Sequence, residues 1–149
     1  MLIVERTDPR DPQATALLNQ SHALMLSLFP ADGCHFLDIE KLTAVNIHFF
    51  TAREGEARLG TGALAVKEGY GEIKSMFTDP AGRGKGVAAA VLRTLEDTAR
   101  ELKLPLLRLE TGTGLDAAHR LYERFGFDYR GPFGDYGPHP ASIFMEKPL

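Results

Sequence analysis

Cysteine occurs once in these 149 residues, at Cys34, and tryptophan does not occur at all. A lone thiol excludes an internal disulfide and suits a reducing compartment. His22, His35, His48, His119 and His139 are scattered, with neither His-Glu-x-x-His spacing nor paired cysteines. No metal site is expected from them. No apolar run approaches the ~20 residues that cross a bilayer, and Met1-Leu2-Ile3-Val4-Glu5 puts no basic segment ahead of a long apolar one. The expectation is therefore a cytoplasmic chain with no membrane partner. Basic excess is missing as well. A formal charge of −3 argues against a general nucleic-acid binder. A nucleoside-triphosphate loop of the form Gly-x-x-x-x-Gly-Lys-Ser/Thr is absent, because Lys85-Gly86 is followed by Val87-Ala88, which offer no hydroxyl for magnesium.

What remains is an ordinary globular composition, 44% hydrophobic and 25% charged, in a length that suits one domain with a real core. Leu2 to Arg6 reads as a first strand. Asp11-Pro12 then opens a helix as cap and first-turn proline. Leu17, Leu18, Ser21, Leu24, Met25 and Leu28 mark its buried face, and Phe29-Pro30 stops it. A short helix is expected at Ile39 to Thr43. Strands follow at Val45 to Arg53, Ala57 to Lys67 and Gly71 to Thr78, separated by Arg53-Glu54-Gly55-Glu56 and Glu68-Gly69. The next helix carries an apolar stripe of Val87, Ala88, Val91, Leu92, Leu95, Ala99 and Leu102, with Arg93, Glu96, Asp97 and Arg100 expected to face outward. Leu106 to Thr111 is a strand. Asp116 is expected to cap a helix from Ala117 to Phe125, closed by Gly126 as a left-handed cap. Short strands at Phe127 to Arg130 and Ala141 to Glu146 flank a loop rich in glycine, proline and aromatics. This order predicts a single α/β domain over residues 1–149, with a mixed sheet covered by helices on both faces.

The organising stretch is Arg83-Gly84-Lys85-Gly86-Val87-Ala88, between the strand ending at Thr78 and the long helix. Glycines there let backbone come close to a ligand. The first turn of a helix presents unpaired N–H groups and a partial positive charge, which together favour an anion, most naturally a phosphate. Arg83 and Lys85 add two mobile positive charges.

These six residues fit the Gln/Arg-x-x-Gly-x-Gly/Ala signature of the GNAT N-acetyltransferase superfamily, with Arg83, Gly86 and Ala88 at the specified positions. A second segment, Ala118 to Phe127, resembles that family's Ala-x-x-Leu-Tyr-x-x-x-Gly-Phe pattern. Glu-Ile-Lys-x-Met from Glu72 and Leu-Glu-Thr-Gly from Leu109 look like those of small bacterial acetyltransferases. The resemblance covers about Gly60 to Phe127 and implies a mostly antiparallel sheet and acetyl-coenzyme A as cosubstrate. It implies that Arg83, Gly84, Lys85, Gly86, Val87 and Ala88 hold the pyrophosphate. Backbone at Met76, Phe77 and Thr78 would pair with the pantetheine arm and offer an oxyanion donor. It also implies that Tyr122 donates a proton to the leaving thiolate, where the bland alternative is a core aromatic. Glu72 is the candidate general base, with Glu110 or ordered water as alternatives. Phe29, His35 and Tyr136, from loops expected beside the acceptor entrance, are candidate substrate-binding residues.

One departure from the family is Leu115, near where many members carry Asn; Thr111 or Thr113 is the alternative source of that polar contact. The activity implied is acetyl transfer to a small primary amine by direct attack in a ternary complex, in a monomer or homodimer. A non-catalytic coenzyme A-binding module and a protein N-acetyltransferase are the competing readings.

Overall fold

The computed structural model describes residues 1–149. Strand β1 (Leu2–Arg6) leads into helix α1 (Pro12–Leu28), whose first turn is capped by the Asp11 carboxylate accepting the Gln13 and Ala14 amides. Helix α1 stops at Phe29, which is extended ahead of Pro30. The region expected to be a short helix forms only a 3-10 turn at Lys41–Thr43. A meander follows of β2 (Ile47–Glu54), β3 (Ala57–Lys67) and β4 (Tyr70–Thr78). Helix α2 (Val87–Glu101), strand β5 (Leu106–Gly112), helix α3 (Asp116–Arg124), β6 (Asp128–Arg130) and β7 (Ser142–Pro148) complete the chain. No helix is long and apolar enough to cross a membrane.

The seven strands form one sheet in the order β1-β2-β3-β4-β5-β7-β6. Every neighbouring pair is antiparallel except β4 with β5. Helix α2 covers one face through Val87, Val91, Leu92, Leu95 and Ala99, which share a core with Ile73, Leu107, Leu109, Leu121 and Met145. On the opposite face Ala14 and Leu18 of α1 pack with Phe49, Ala63 and Ala65. Alternation along each strand divides the residues between these two cores, as a pleated sheet requires.

Several expectations are corrected: Leu24 and Leu28, read as part of the buried face of α1, and Leu102, read as part of the α2 stripe, are exposed. Val45 is fully exposed and precedes the strand, which begins at Ile47. Glu96 does not face outward. It is buried because Lys147 Nζ reaches over from β7 to donate to it at 2.8 Å, with Arg100 Nη1 at 3.5 Å on its other oxygen. Asp116 is the first helical residue rather than the cap, and Leu115 occupies the cap position with no side-chain bond. The Asp116 carboxylate still favours that helix end through its charge.

Two features of β3 and β4 position everything that follows. Thr61 faces Phe77 and Ala63 faces Lys74, so the single residue Gly62 opposes both Ser75 and Met76. This is a β-bulge. Ser75 takes a left-handed φ of 57°, and Thr61 Oγ1 pins it by donating to the Ser75 carbonyl at 2.7 Å. Bulges bend and twist the strand that carries them. Accordingly β4 pairs with β5 only from Gly71 to Ile73, opposite Leu107 to Leu109, and beyond Ile73 the two strands part. The second feature is the small surface of β3. A Cβ at Gly60 would lie 2.4 Å from Val87 Cγ1, and one at Gly62 would lie 2.4 Å from Val91 Cγ1 and 2.8 Å from Met76 Sδ. Helix α2 therefore rests directly on strand backbone.

Adding one methyl at this contact tests that packing. Gly62→Ala is expected to destabilise the fold by about 1–3 kcal/mol, seen as a drop of roughly 3–10 °C in thermal melting. A variant as stable as the parent would contradict the close approach of α2 to the bulge.

Candidate functional site

The start of α2 is open. Gly86 occupies the cap position with φ 76° and Gly84 has φ 78°, and no side chain caps the helix. The Gly84 and Gly86 amides find no acceptor in the chain, and a Cβ at either position would meet nothing within 4 Å. The first-turn amides of α2 are likewise free of intrahelical partners. Val87 anchors the turn by burying itself against Gly60 and Gly82, while Ala88 is half-buried beside the main core. Arg83 is exposed and forms no ion pair. Lys85 donates to Glu54 Oε1 at 2.8 Å, and both side chains are nearly half exposed. Such a surface pair is weak and readily exchanged. A cradle of free amides with a mobile arginine at its rim fits a pyrophosphate.

Met76, Phe77 and Thr78 lie beyond the bulge, on the stretch of β4 that pairs with β3 on one side and with no strand on the other. Backbone groups along such an edge need partners, so it can bond an extended, amide-bearing ligand. Met76 also packs against the core beneath α2.

Tyr122 is buried in that core, edge-on to Phe127 at 5.7 Å. Its hydroxyl forms no hydrogen bond with the protein. Burial raises its pKa well above the ordinary phenol value, so it stays protonated.

On the α1 side of the sheet, sequence-distant residues converge where β4 and β5 part. Glu72, buried, accepts from the Tyr136 hydroxyl at 2.5 Å, with Lys74 Nζ 3.4 Å from the same oxygen. Lys74 also donates to the Tyr136 oxygen at 2.8 Å and to the His35 carbonyl at 2.9 Å. Burial first, then the Glu72 charge and hydrogen bond, push the Tyr136 hydroxyl far above the usual phenol range. Next to this group, His35 Nδ1 lies 2.6 Å from Glu110 Oε2, which also accepts from Ser142 Oγ at 2.8 Å. The rings of His35 and Tyr136 meet edge to face at 5.3 Å. Phe29 packs onto the end of β5, where a Cβ on Gly112 would come within 2.3 Å of its ring.

The structure thus brings Glu72, Glu110, His35 and Tyr136 into one cluster, with Phe29 at its border. Arg83 to Ala88 and Met76 to Thr78 belong to the cradle and the open strand edge. Thr111 and Thr113 lie at the far end of β5, and Leu115 is half-buried ahead of α3. Cys34 lies beside the cluster. Its thiol points at the Met25 carbonyl, and burial followed by the Glu110 and Asp32 charges raises its pKa, which keeps it an inert thiol. Two members were not singled out from sequence. Lys74 carried a usable signal, since two residues from Glu72 on a strand means the same face. Ser142 carried none, because its pairing with Gly112 depends on where the last loop returns to the sheet.

Comparison with known proteins agrees with this geometry. The sequence model of the acetyltransferase (GNAT) family matches residues 17–127. An IAA acetyltransferase of Azospirillum brasilense is 40% identical over 98% of this chain and 97% of its own. A Klebsiella pneumoniae structure assigned to the acyl-CoA N-acyltransferases is 33% identical, with a TM-score of 0.83 over 100% of this chain and 98% of that one. The PaiA N-acetyltransferase of Thermoplasma acidophilum, solved with coenzyme A, shares the fold at 13% identity and a TM-score of 0.76, over 100% and 99% of the two chains. With a split sheet, an uncapped glycine-flanked helix start and these relatives along its whole length, the chain belongs to the GNAT acetyltransferase family.

Proposed function

We propose that this chain moves an acetyl group from acetyl-coenzyme A to a small primary amine by direct attack within a ternary complex. The observation that carries the reading is the parting of β4 from β5 between two chemically different faces. One side offers free amides at the start of α2, and the other a polar cluster holding two carboxylates.

Acetyl-coenzyme A would supply the activated thioester carbonyl. The amides of Gly84, Gly86, Val87 and Ala88, with Arg83 and Lys85, hold its pyrophosphate. The free edge at Met76, Phe77 and Thr78 aligns the pantetheine arm, and an N–H of that edge faces the carbonyl oxygen that gains charge on attack. Tyr122, protonated and without a protein partner, donates toward the departing sulfur. Its raised pKa makes it a hydrogen-bond donor to a developing thiolate rather than a strong acid. The incoming amine lies against Phe29, His35 and Tyr136, with Glu72, Glu110 or ordered water as the alternative proton acceptors. Alignment and exclusion of water do most of the catalytic work.

A small acceptor is favoured over a protein tail by the returning loop. Phe133 is buried in it, Tyr136 lies over Glu72, and His139 Nε2 approaches Asp32 at 3.4 Å. These contacts narrow the acceptor side. The half-buried lone thiol of Cys34 supports a reducing, cytoplasmic setting.

Free-thiol release from acetyl-coenzyme A, screened across small amines, is expected to find at least one acceptor. Coenzyme A uptake with no thiol release on any amine would instead mark a binding module. Tyr122→Phe is expected to lower kcat by about 10²-fold while leaving melting temperature and coenzyme A affinity unchanged, because no protein hydrogen bond is lost. An unaltered kcat would assign Tyr122 to packing alone. Gly86→Ala places a side chain at a left-handed φ at a cost of about 1–2 kcal/mol. It is expected to weaken coenzyme A binding in calorimetry more than it lowers kcat at saturation, and equal affinity would count against the cradle.

A further inference from the structure

We infer that the proton acceptor for the amine is His35, oriented by Glu110, and that Glu72 serves the site by positioning Tyr136. The inference rests on the acetyl-transfer reading above and assigns a residue that reading leaves open.

The two carboxylates differ in what they can still do. Glu72 is buried to 5% side-chain exposure, and its Oε2 already takes the Tyr136 hydroxyl and faces the Lys74 ammonium. Both contacts fall on that one oxygen, so a hydroxyl and an ammonium already occupy it. Glu110 is likewise enclosed, at 13% exposure, and its Oε2 accepts from both His35 Nδ1 and Ser142 Oγ. His35 is different, because its side chain is 32% exposed and its Nε2 has no partner in the protein.

A carboxylate only accepts hydrogen bonds, so the 2.6 Å contact makes Nδ1 the protonated nitrogen. That leaves the Nε2 lone pair facing outward. A histidine oriented by a buried carboxylate is a recurrent way to present a base, since the carboxylate fixes the tautomer and stabilises the imidazolium that forms. The ring is held by two further contacts, the Lys74 ammonium on its own backbone carbonyl and the edge of Tyr136. The charged and titratable groups around it are Glu110 from β5, Lys74 and Glu72 from β4, Tyr136 from the last loop, and Cys34 and Asp32 from its own loop. Ser142 from β7 completes the shell.

In the step so assigned, the ammonium form of the acceptor gives one proton to His35 Nε2. The free amine bonds to the thioester carbon, and the C–S bond breaks with its electron pair on sulfur. The second amine proton passes to that sulfur through Tyr122 or water. The imidazolium then returns its proton to solvent, so each turnover releases one proton.

The test uses the purified chain, acetyl-coenzyme A and an amine that the wild-type protein acetylates. His35→Gln is expected to lower kcat by about 10²-fold with coenzyme A affinity intact by calorimetry. Two readouts separate proton transfer from structure. The loss should shrink for a fluorinated analogue of the amine that is already neutral at the assay pH, and imidazole added to His35→Ala should restore part of the rate. Glu110→Gln should lower kcat without imidazole rescue. An unimpaired His35→Gln overturns the assignment, as does a loss equal for both amines and unmoved by imidazole. If the wild-type chain binds coenzyme A but acetylates no amine, the acetyl-transfer reading itself fails, and the assignment with it.

Discussion

Only three residue pairs, Gly71 to Ile73 against Leu107 to Leu109, join the two halves of this sheet. Parallel pairing is slightly weaker per residue than antiparallel, and here it is also short. The halves stay together because the residues at the seam, Ile73, Leu107 and Leu109, are buried in the same core as α2. The helix therefore acts as the clasp of the sheet, and its close approach depends on the absence of side chains at Gly60 and Gly62. Stability and function meet at one contact. Whatever keeps α2 pressed on β3 also fixes the distance between the free amides at its start and the open edge of β4.

The bulge at Ser75 determines which way that edge turns. Without the extra residue, β4 would continue alongside β5 and bond its own neighbour, leaving no backbone free for a ligand. With it, Met76 to Thr78 swing away while β5 continues with β7 through Gly112. The unused hydrogen-bonding capacity of one strand becomes recognition capacity, and it is held rigid by pairing with β3 on the other side. The apolar core containing Tyr122 lies on the α2 side of the sheet, and a polar, mostly buried network lies on the α1 side.

How legible this was in the sequence follows from the range of each interaction. The elements were readable because their signals are local: Asp11-Pro12 at the start of α1, glycines ahead of α2, Gly126 after α3. The cradle was readable for the same reason, since all its parts lie within six consecutive residues. The polar cluster was readable only as separate candidates. Glu72, Glu110, His35 and Tyr136 could each be named, but apart from Lys74 beside Glu72 their partners lie 32 to 75 residues away. Glu96 shows the same limit. Helical periodicity placed it on the outward face, and nothing local announced that Lys147 would cross over to cover it. The bulge was likewise silent, because Ser75 is an unremarkable residue in a strand and becomes an extra one only when the register with β3 is known.

The charges of the polar cluster bear on what it can receive. Glu72 and Glu110 bring two carboxylates, and Lys74 is the one lysine or arginine side chain bonded among them. Next to a neutral His35 the group carries one negative charge in excess. In surroundings of reduced dielectric such an excess attracts a cation by several kcal/mol at contact distance (about 4 kcal/mol at 4 Å and an effective dielectric of 20). An arriving ammonium would satisfy it first. If the proton then moves to His35, as proposed, the imidazolium would satisfy it instead, so the charge of the enclosed cluster and substrate together would stay constant through the transfer. The neutral amine would be left free to attack, with the positive charge held on the protein beside the Glu110 carboxylate.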